Sequence, residues 1–230
     1  MNRVFRRVAA QQAQSRATAL THRLAALLLE YPSTGLLELL PAIRSATAEL
    51  PERLAVPLGQ LVEHLSSAPL PELEAAYVET FDLKRRCSPY LTYFAYGDTR
   101  KRGVALVEFK QAYRAGGFEV VEDELPDHLA VVLEFCSTGD AECQVEGIKL
   151  LLGHRAGLEL LRLALLDAGS PYAGALVAVC ATLPDLGPDE HAAIARLAAE
   201  GPPGEEVGLE PFAPPSSMPT SGHSVEGAQR

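Results

Sequence analysis

Four cysteines and six histidines are the residues best suited to metal ligation or nucleophilic attack, and their spacing favours neither. Cys87, Cys136, Cys143 and Cys180 contain no C-x-x-C pair, and His22, His64, His128, His154, His191 and His223 no H-x-x-x-H pair. A zinc tetrahedron needs such close pairs to converge. Cys136 and Cys143 straddle Gly139, so they do not share a continuous helix face. Burial as small apolar side chains explains the thiols better. No G-x-S-x-G elbow, phosphate-cradling glycine loop or dinucleotide fingerprint occurs. The residues by themselves predict no enzyme, no metal and no cofactor, with an enzyme of unknown reaction as the alternative.

Two stretches stand apart. Tyr77 to Gly103 holds six of the chain's fourteen Phe and Tyr residues, including Tyr77, Phe81, Tyr90 and Tyr93. It also holds Lys84, Arg85, Arg86, Arg100, Lys101 and Arg102. Aromatics provide contact area at small entropic cost and arginines provide directed hydrogen bonds, so the mixture suits a recognition surface. The same residue types serve RNA binding through stacking and phosphate contacts, a competing reading. Core packing of Tyr77, Phe81, Tyr90 and Phe94 is the structural alternative. The second stretch, Glu122 to Phe135, sets Glu122, Asp123, Glu124 and Asp127 before an apolar helix. Acids there complement a helix dipole. They also make an acidic mouth beside an apolar groove, suited to a basic amphipathic helix. His128 is either a contact in that mouth or a core histidine.

The elements that must hold these residues are helical. Leu20, Leu24, Leu27, Leu28 and Tyr31 form one stripe, closed by Pro32; Leu106, Phe109 and Tyr113 form another. Leu129, Val132, Leu133 and Cys136 form a third, followed by Leu158, Leu161 and Leu165, and by Ile194 and Leu197. Asp98 is placed to cap a helix ending at Gly116-Gly117, and Pro126-Asp127 to open the next, with Gly139 closing it. Pro188 opens the last and Gly201 ends it. Only residues 118–122 look strand-like. The pattern predicts an all-α fold of about eight to ten helices in a single compact domain.

Length and charge narrow the class. A chain of 230 residues, 47% hydrophobic and 22% charged, can bury a full core. Thirty acids against twenty bases give a net charge of −10, which opposes general nucleic-acid binding. Arg6-Arg7 is followed by no apolar segment, so no targeting signal is expected, and no apolar run is long enough to span a membrane. Residues 1–16 carry four Arg and no acid and are expected to form a flexible arm before a helical domain over 17–200. Residues 201–230 hold six Pro and five Gly and are expected to be a disordered tail.

The run YVETFDLKRRCSPYLTYFAYGDTRKRG, followed by ELPDHLAVVLEF, closely resembles the NarJ-type chaperones of respiratory nitrate reductase. These are a branch of the TorD/DmsD family of chaperones for molybdenum enzymes. The similarity extends over roughly residues 20–200 and is sharpest over 77–136. The positions that carry it are Tyr77, Phe81, Tyr90, Tyr93, Gly97, Asp98, Asp127, His128, Leu133 and Glu134. It implies an all-helical, cytoplasmic, non-catalytic chaperone. Its partner would be the catalytic (alpha) subunit of nitrate reductase, bound at its N-terminal segment for molybdenum-cofactor insertion and membrane-complex assembly. A related molybdoenzyme is the alternative client. No nucleic acid, membrane insertion or resident cofactor is implied.

Overall fold

A computed structural model describes residues 3–97, 99–121, 124–138 and 140–201, with side chains from residue 12 onward. Asp98, Glu122, Asp123, Gly139 and residues 202–230 lie outside the described residues. The expected all-α architecture is what the described residues form: eleven α-helices and one short 3-10 turn. These are α1 (Arg3–Leu28), α2 (Thr34–Thr47), α3 (Glu52–Ser67), α4 (Leu70–Phe81), the 3-10 turn (Arg85–Cys87), α5 (Tyr93–Tyr96) and α6 (Arg100–Ala115). They continue with α7 (Leu129–Ser137), α8 (Ala141–Gly153), α9 (Arg155–Asp167), α10 (Ala173–Cys180) and α11 (Pro188–Glu200). Residues 118–121, which look strand-like in sequence, form no strand: Phe118 N–H donates back to the Tyr113 carbonyl and Val121 accepts from Glu124 N–H.

Helix α1 lies against α7 and α10, and α10 lies against α3. The apolar spacing explains the layers. Leu24 and Leu28 of α1, Leu58, Leu61 and Leu65 of α3, and Leu129, Val132 and Leu133 of α7 all point into one core. Each such side chain contributes about 1.5–3 kcal/mol by leaving water. Small residues set the closest approaches. A Cβ on Gly174 of α10 would collide with the Pro57 carbonyl oxygen of α3. One on Gly147 of α8 would fall 2.5 Å from Cys136 Sγ of α7.

Three boundaries differ from the sequence expectation. Helix α1 ends at Leu28, short of Tyr31, which is 49% exposed. Helix α6 starts at Arg100 with Thr99 at its N-cap, so the cap falls one residue beyond Asp98. Helix α7 starts at Leu129 with His128 at its N-cap, whose Nδ1 accepts from Ala130 N–H at 3.3 Å. Asp127 is therefore not the cap: it is fully buried, and its carboxylate binds side chains instead. The last helix does run from Pro188 to Gly201, which ends it at φ +72°, a conformation suited to glycine.

Candidate functional site

The two stretches singled out by composition meet in space. Residues 89–91 lie antiparallel to 127–129 through an isolated bridge between Tyr90 and His128. Leu91 N–H donates to the Asp127 carbonyl at 3.0 Å, and Leu129 N–H donates to the Pro89 carbonyl at 2.9 Å. The Tyr90 and His128 rings stack edge to face, 5.2 Å between centroids.

Asp127 anchors this junction. Its Oδ2 accepts the Thr92 hydroxyl at 2.5 Å and the Thr92 N–H at 3.3 Å, and meets Arg102 Nη2 at 3.4 Å. Arg102 also donates from Nε to Thr92 Oγ1 and lies over the Tyr90 ring, 5.1 Å from its centroid. One carboxylate thus ties α6, the loop before α5 and the start of α7 into one unit. Burial with hydrogen bonds and a cation is the condition under which a carboxylate is tolerated inside. The Tyr90 hydroxyl is pushed up by burial, reinforced by the Asp127 charge. Burial lowers His128, opposed by Glu124 and Asp127.

The aromatics of α4 lie deeper. Tyr77 donates its hydroxyl to the Leu29 carbonyl at 3.1 Å and packs on Phe81, Tyr172 and the exposed Tyr31. Tyr93 is buried beside Phe94. Gly97 closes α5 at φ +56°, where a side chain would strain the backbone. Leu133 is a core residue of α7.

Outward of this scaffold lies a two-sided cleft. On one side of the extended segment 118–121, a cavity of about 230 Å³ has Phe118, Val121, Val131 and Phe135 as its apolar lining, with Glu124 and Glu134 also on its walls. On the other side, a cavity of about 490 Å³ runs between that segment and α6, where Lys110 and Arg114 face it. A further carboxylate approaches the acidic side. Glu30, just past the end of α1, is raised by partial burial and then by Glu134 and Glu124, while Arg23 lowers it. Arg23 reaches Glu134 at 2.5 Å, 111 residues away in sequence. No local motif could have signalled that pair.

Of the residues marked from sequence, Glu124 and Glu134 are on the surface, and Tyr90 and His128 are half-buried beneath it. Tyr77, Phe81, Tyr93 and Asp127 are interior. Asp98, Glu122 and Asp123 are outside the described residues. Sequence reasoning missed Glu30, Arg23, Lys110 and Arg114.

The cleft walls combine apolar side chains with carboxylates and cations. Cys136 and Cys180 are pushed up to about 12 by burial, so neither presents a thiolate near neutrality. Among the described residues no three His, Cys, Asp or Glu side chains are grouped to hold a metal ion. No helix among them is long and apolar enough to cross a membrane.

Comparison with known proteins is consistent with this geometry. The family model for the nitrate reductase delta subunit matches residues 47–178. A nitrate reductase-like protein, NarX, of Mycobacterium tuberculosis is 41% identical over 162 residues, covering 69% of this chain and 23% of that protein. The probable nitrate reductase molybdenum cofactor assembly chaperone NarJ of Bacillus subtilis is 34% identical over 116 residues, 50% of this chain and 63% of that one. The nitrate reductase molybdenum cofactor assembly chaperone NarJ of Escherichia coli K12 is 35% identical over 126 residues, 53% of each chain. The match spans less than two thirds of each of these relatives.

Proposed function

The chain belongs to the nitrate reductase delta subunit family, and from that premise we propose that it is an assembly chaperone for a nitrate reductase. In this reading it is non-catalytic and cytoplasmic. It binds the N-terminal segment of the apo catalytic (alpha) subunit and keeps that subunit competent for molybdenum-cofactor insertion and membrane-complex assembly. Binding one assembly state lowers the free concentration of that state, so mass action is sufficient and no reaction is needed.

The observation that carries the reading is the apolar cleft lined by Phe118, Val121, Val131 and Phe135, with Glu124 and Glu134 on its walls. An amphipathic client helix would lay its apolar face in the cleft and turn its basic edge to Glu30, Glu124 and Glu134. Glu122 and Asp123 would add charge to the same steering field. Tyr90 and His128 would form the floor next to it. Tyr77, Phe81, Tyr93 and Asp127 would act indirectly, by holding that floor in place.

The test is recovery of bound proteins from cells carrying the tagged full chain. The expected result is the catalytic subunit of a nitrate reductase, retained when its cofactor is absent and reduced when Val121 is replaced by Asp. Recovery of a different molybdoenzyme would move the client assignment. Absence of any molybdenum oxidoreductase subunit would overturn the reading.

A further inference from the structure

The six bases of the 84–102 region do not act as one patch. Lys84 pairs with Glu79, Arg86 with Asp167 and Arg102 with Asp127, while Arg85 in the 3-10 turn has no carboxylate partner among the described residues. Arg100 and Lys101 reach no carboxylate among the described residues, and neither do Lys110 and Arg114. All four belong to α6. In a chain with ten more acids than bases, four cations on one helix, none paired to a carboxylate among the described residues, are a segregated feature rather than a random one.

Their register on α6 is ordered. Ala105, Phe109 and Tyr113 form the buried face. On the opposite face Arg100, Val104, Val107, Gln111 and Arg114 follow one another at i, i+4, i+7, i+11 and i+14, one helical stripe. All five are exposed, Val104 at 75% and Val107 at 49%. Lys101 and Lys110 flank the stripe and Glu108 is the one acid beside it. Apolar residues at the centre with cations at both ends make the arrangement of a docking face.

We propose that this outer face of α6 is a second protein-docking surface, and that its occupant is an acidic amphipathic helix of a partner protein. The charge of the stripe selects that occupant. A lipid surface would need bulky anchors such as Leu, Phe or Trp, and the stripe offers two valines. A single-stranded nucleic acid would use aromatic stacking platforms, which the stripe lacks, and a duplex would use a continuous basic surface, which the net charge of −10 opposes. An acidic helix matches both features: its carboxylates meet Arg100 and Arg114, and its apolar residues cover Val104 and Val107. Arg114 borders the cavity on the α6 side of residues 118–121, whereas Arg100, Val104 and Val107 line neither cavity, and the wall beside α7 carries Glu124 and Glu134 instead.

The experiment compares two synthetic amphipathic helices of about 18 residues, five turns. They share the same Leu positions, and one carries Glu where the other carries Lys. Each is titrated against the full chain, with Arg100→Glu/Lys101→Glu and Val104→Ser/Val107→Ser as variants. The Glu helix binds the unmodified chain, and its affinity falls about tenfold or more in both variants. Raising salt from about 0.05 M to about 0.3 M weakens it further. Binding of the Lys helix, which reports on the cleft, stays unchanged in both. The four side chains are exposed, so unchanged melting confirms that each variant is folded. The proposal is overturned if the Glu helix does not bind or binds the variants equally well. It is also overturned if the charge reversal instead abolishes binding to phosphatidylserine vesicles or single-stranded RNA, or dissociates a self-associated form of the chain.

Discussion

Thr92 and Asp127 are joined by a hydroxyl-to-carboxylate hydrogen bond of 2.5 Å between residues 35 positions apart, with both residues fully buried. Arg102 completes the arrangement from α6. Replacing Asp127 by Ala leaves the Thr92 hydroxyl and N–H without their acceptor and removes one partner of the largely buried Arg102 guanidinium. The expected destabilisation is about 2–4 kcal/mol, a fall in melting temperature of roughly 4–16 °C at this size. Thr92→Val, which removes one donor and keeps the shape, should cost about 1–3 kcal/mol. Urea unfolding of both variants is the check. A loss below about 0.5 kcal/mol for Asp127→Ala would show that the network does not hold the junction.

Close packing makes a second expectation. Gly147 lets α8 approach Cys136, and Gly174 lets α10 approach the Pro57 carbonyl. An added methyl has a backbone oxygen to displace at Gly174, and a sulfur and backbone atoms at Gly147. Gly174→Ala and Gly147→Ala should each destabilise by about 1–3 kcal/mol, outweighing the helix propensity of Ala, about 1 kcal/mol over Gly. Gly103→Ala, where a Cβ meets nothing, should leave stability equal or raised. Equal melting temperatures for Gly103→Ala and Gly174→Ala would contradict this packing.

These glycines mark the boundary between what the sequence made legible and what it did not. Periodicity of Leu and Phe was sufficient for the helical class, and the composition of 77–103 and 122–135 was sufficient to single out two segments that meet in space. Capping was less legible. Asp127 and Asp98 each had the right residue type near a helix start, but tertiary pairing claimed Asp127 for Thr92 and Arg102, leaving the cap to His128. Helices α2 and α3 run through Pro41 and Pro57, positions where local rules place a break. The surroundings of the groove were illegible because they come from distant segments: Arg23 of α1 and Glu30 just past it act on Glu134, and Lys110 and Arg114 of α6 line the larger cavity. Long-range juxtaposition leaves no periodic trace in a single sequence.

His22 gives a pH expectation. It is fully buried on α1, with Nε2 2.9 Å from Thr182 Oγ1, and burial lowers its pKa from the usual 6.5 to about 4. The folded state therefore holds the ring neutral, while the unfolded chain takes up a proton below about pH 6.5. Between these values the unfolded state binds more protons, so stability falls as pH falls. The loss from pH 7 to pH 5 attributable to this residue is on the order of 2 kcal/mol. His22→Gln keeps a polar partner for Thr182 and does not titrate. Its unfolding free energy should thus lose about 2 kcal/mol less than the unmodified chain over that interval. Parallel pH slopes in the two proteins would remove His22 as the source.

The final expectation concerns the proposed client cleft and separates steering from anchoring. Glu124 is exposed and Glu134 is half-exposed beside Arg23, so both act through water and are screened by salt. Charges of that kind raise encounter rates, whereas desolvated apolar contacts govern how long a complex lasts. Glu124→Gln/Glu134→Gln should slow association of a peptide copying the client N-terminus by about three- to tenfold and flatten its salt dependence, with dissociation nearly unchanged. Val121, 74% exposed on the cleft wall, should behave oppositely: Val121→Asp should speed dissociation and leave the salt slope of association in place. Stopped-flow binding at two salt concentrations reads both quantities. The contrast between the two variants is decisive. If both change association alone, the cleft is an electrostatic surface without an apolar anchor. If neither changes either rate, the client segment binds elsewhere on the molecule.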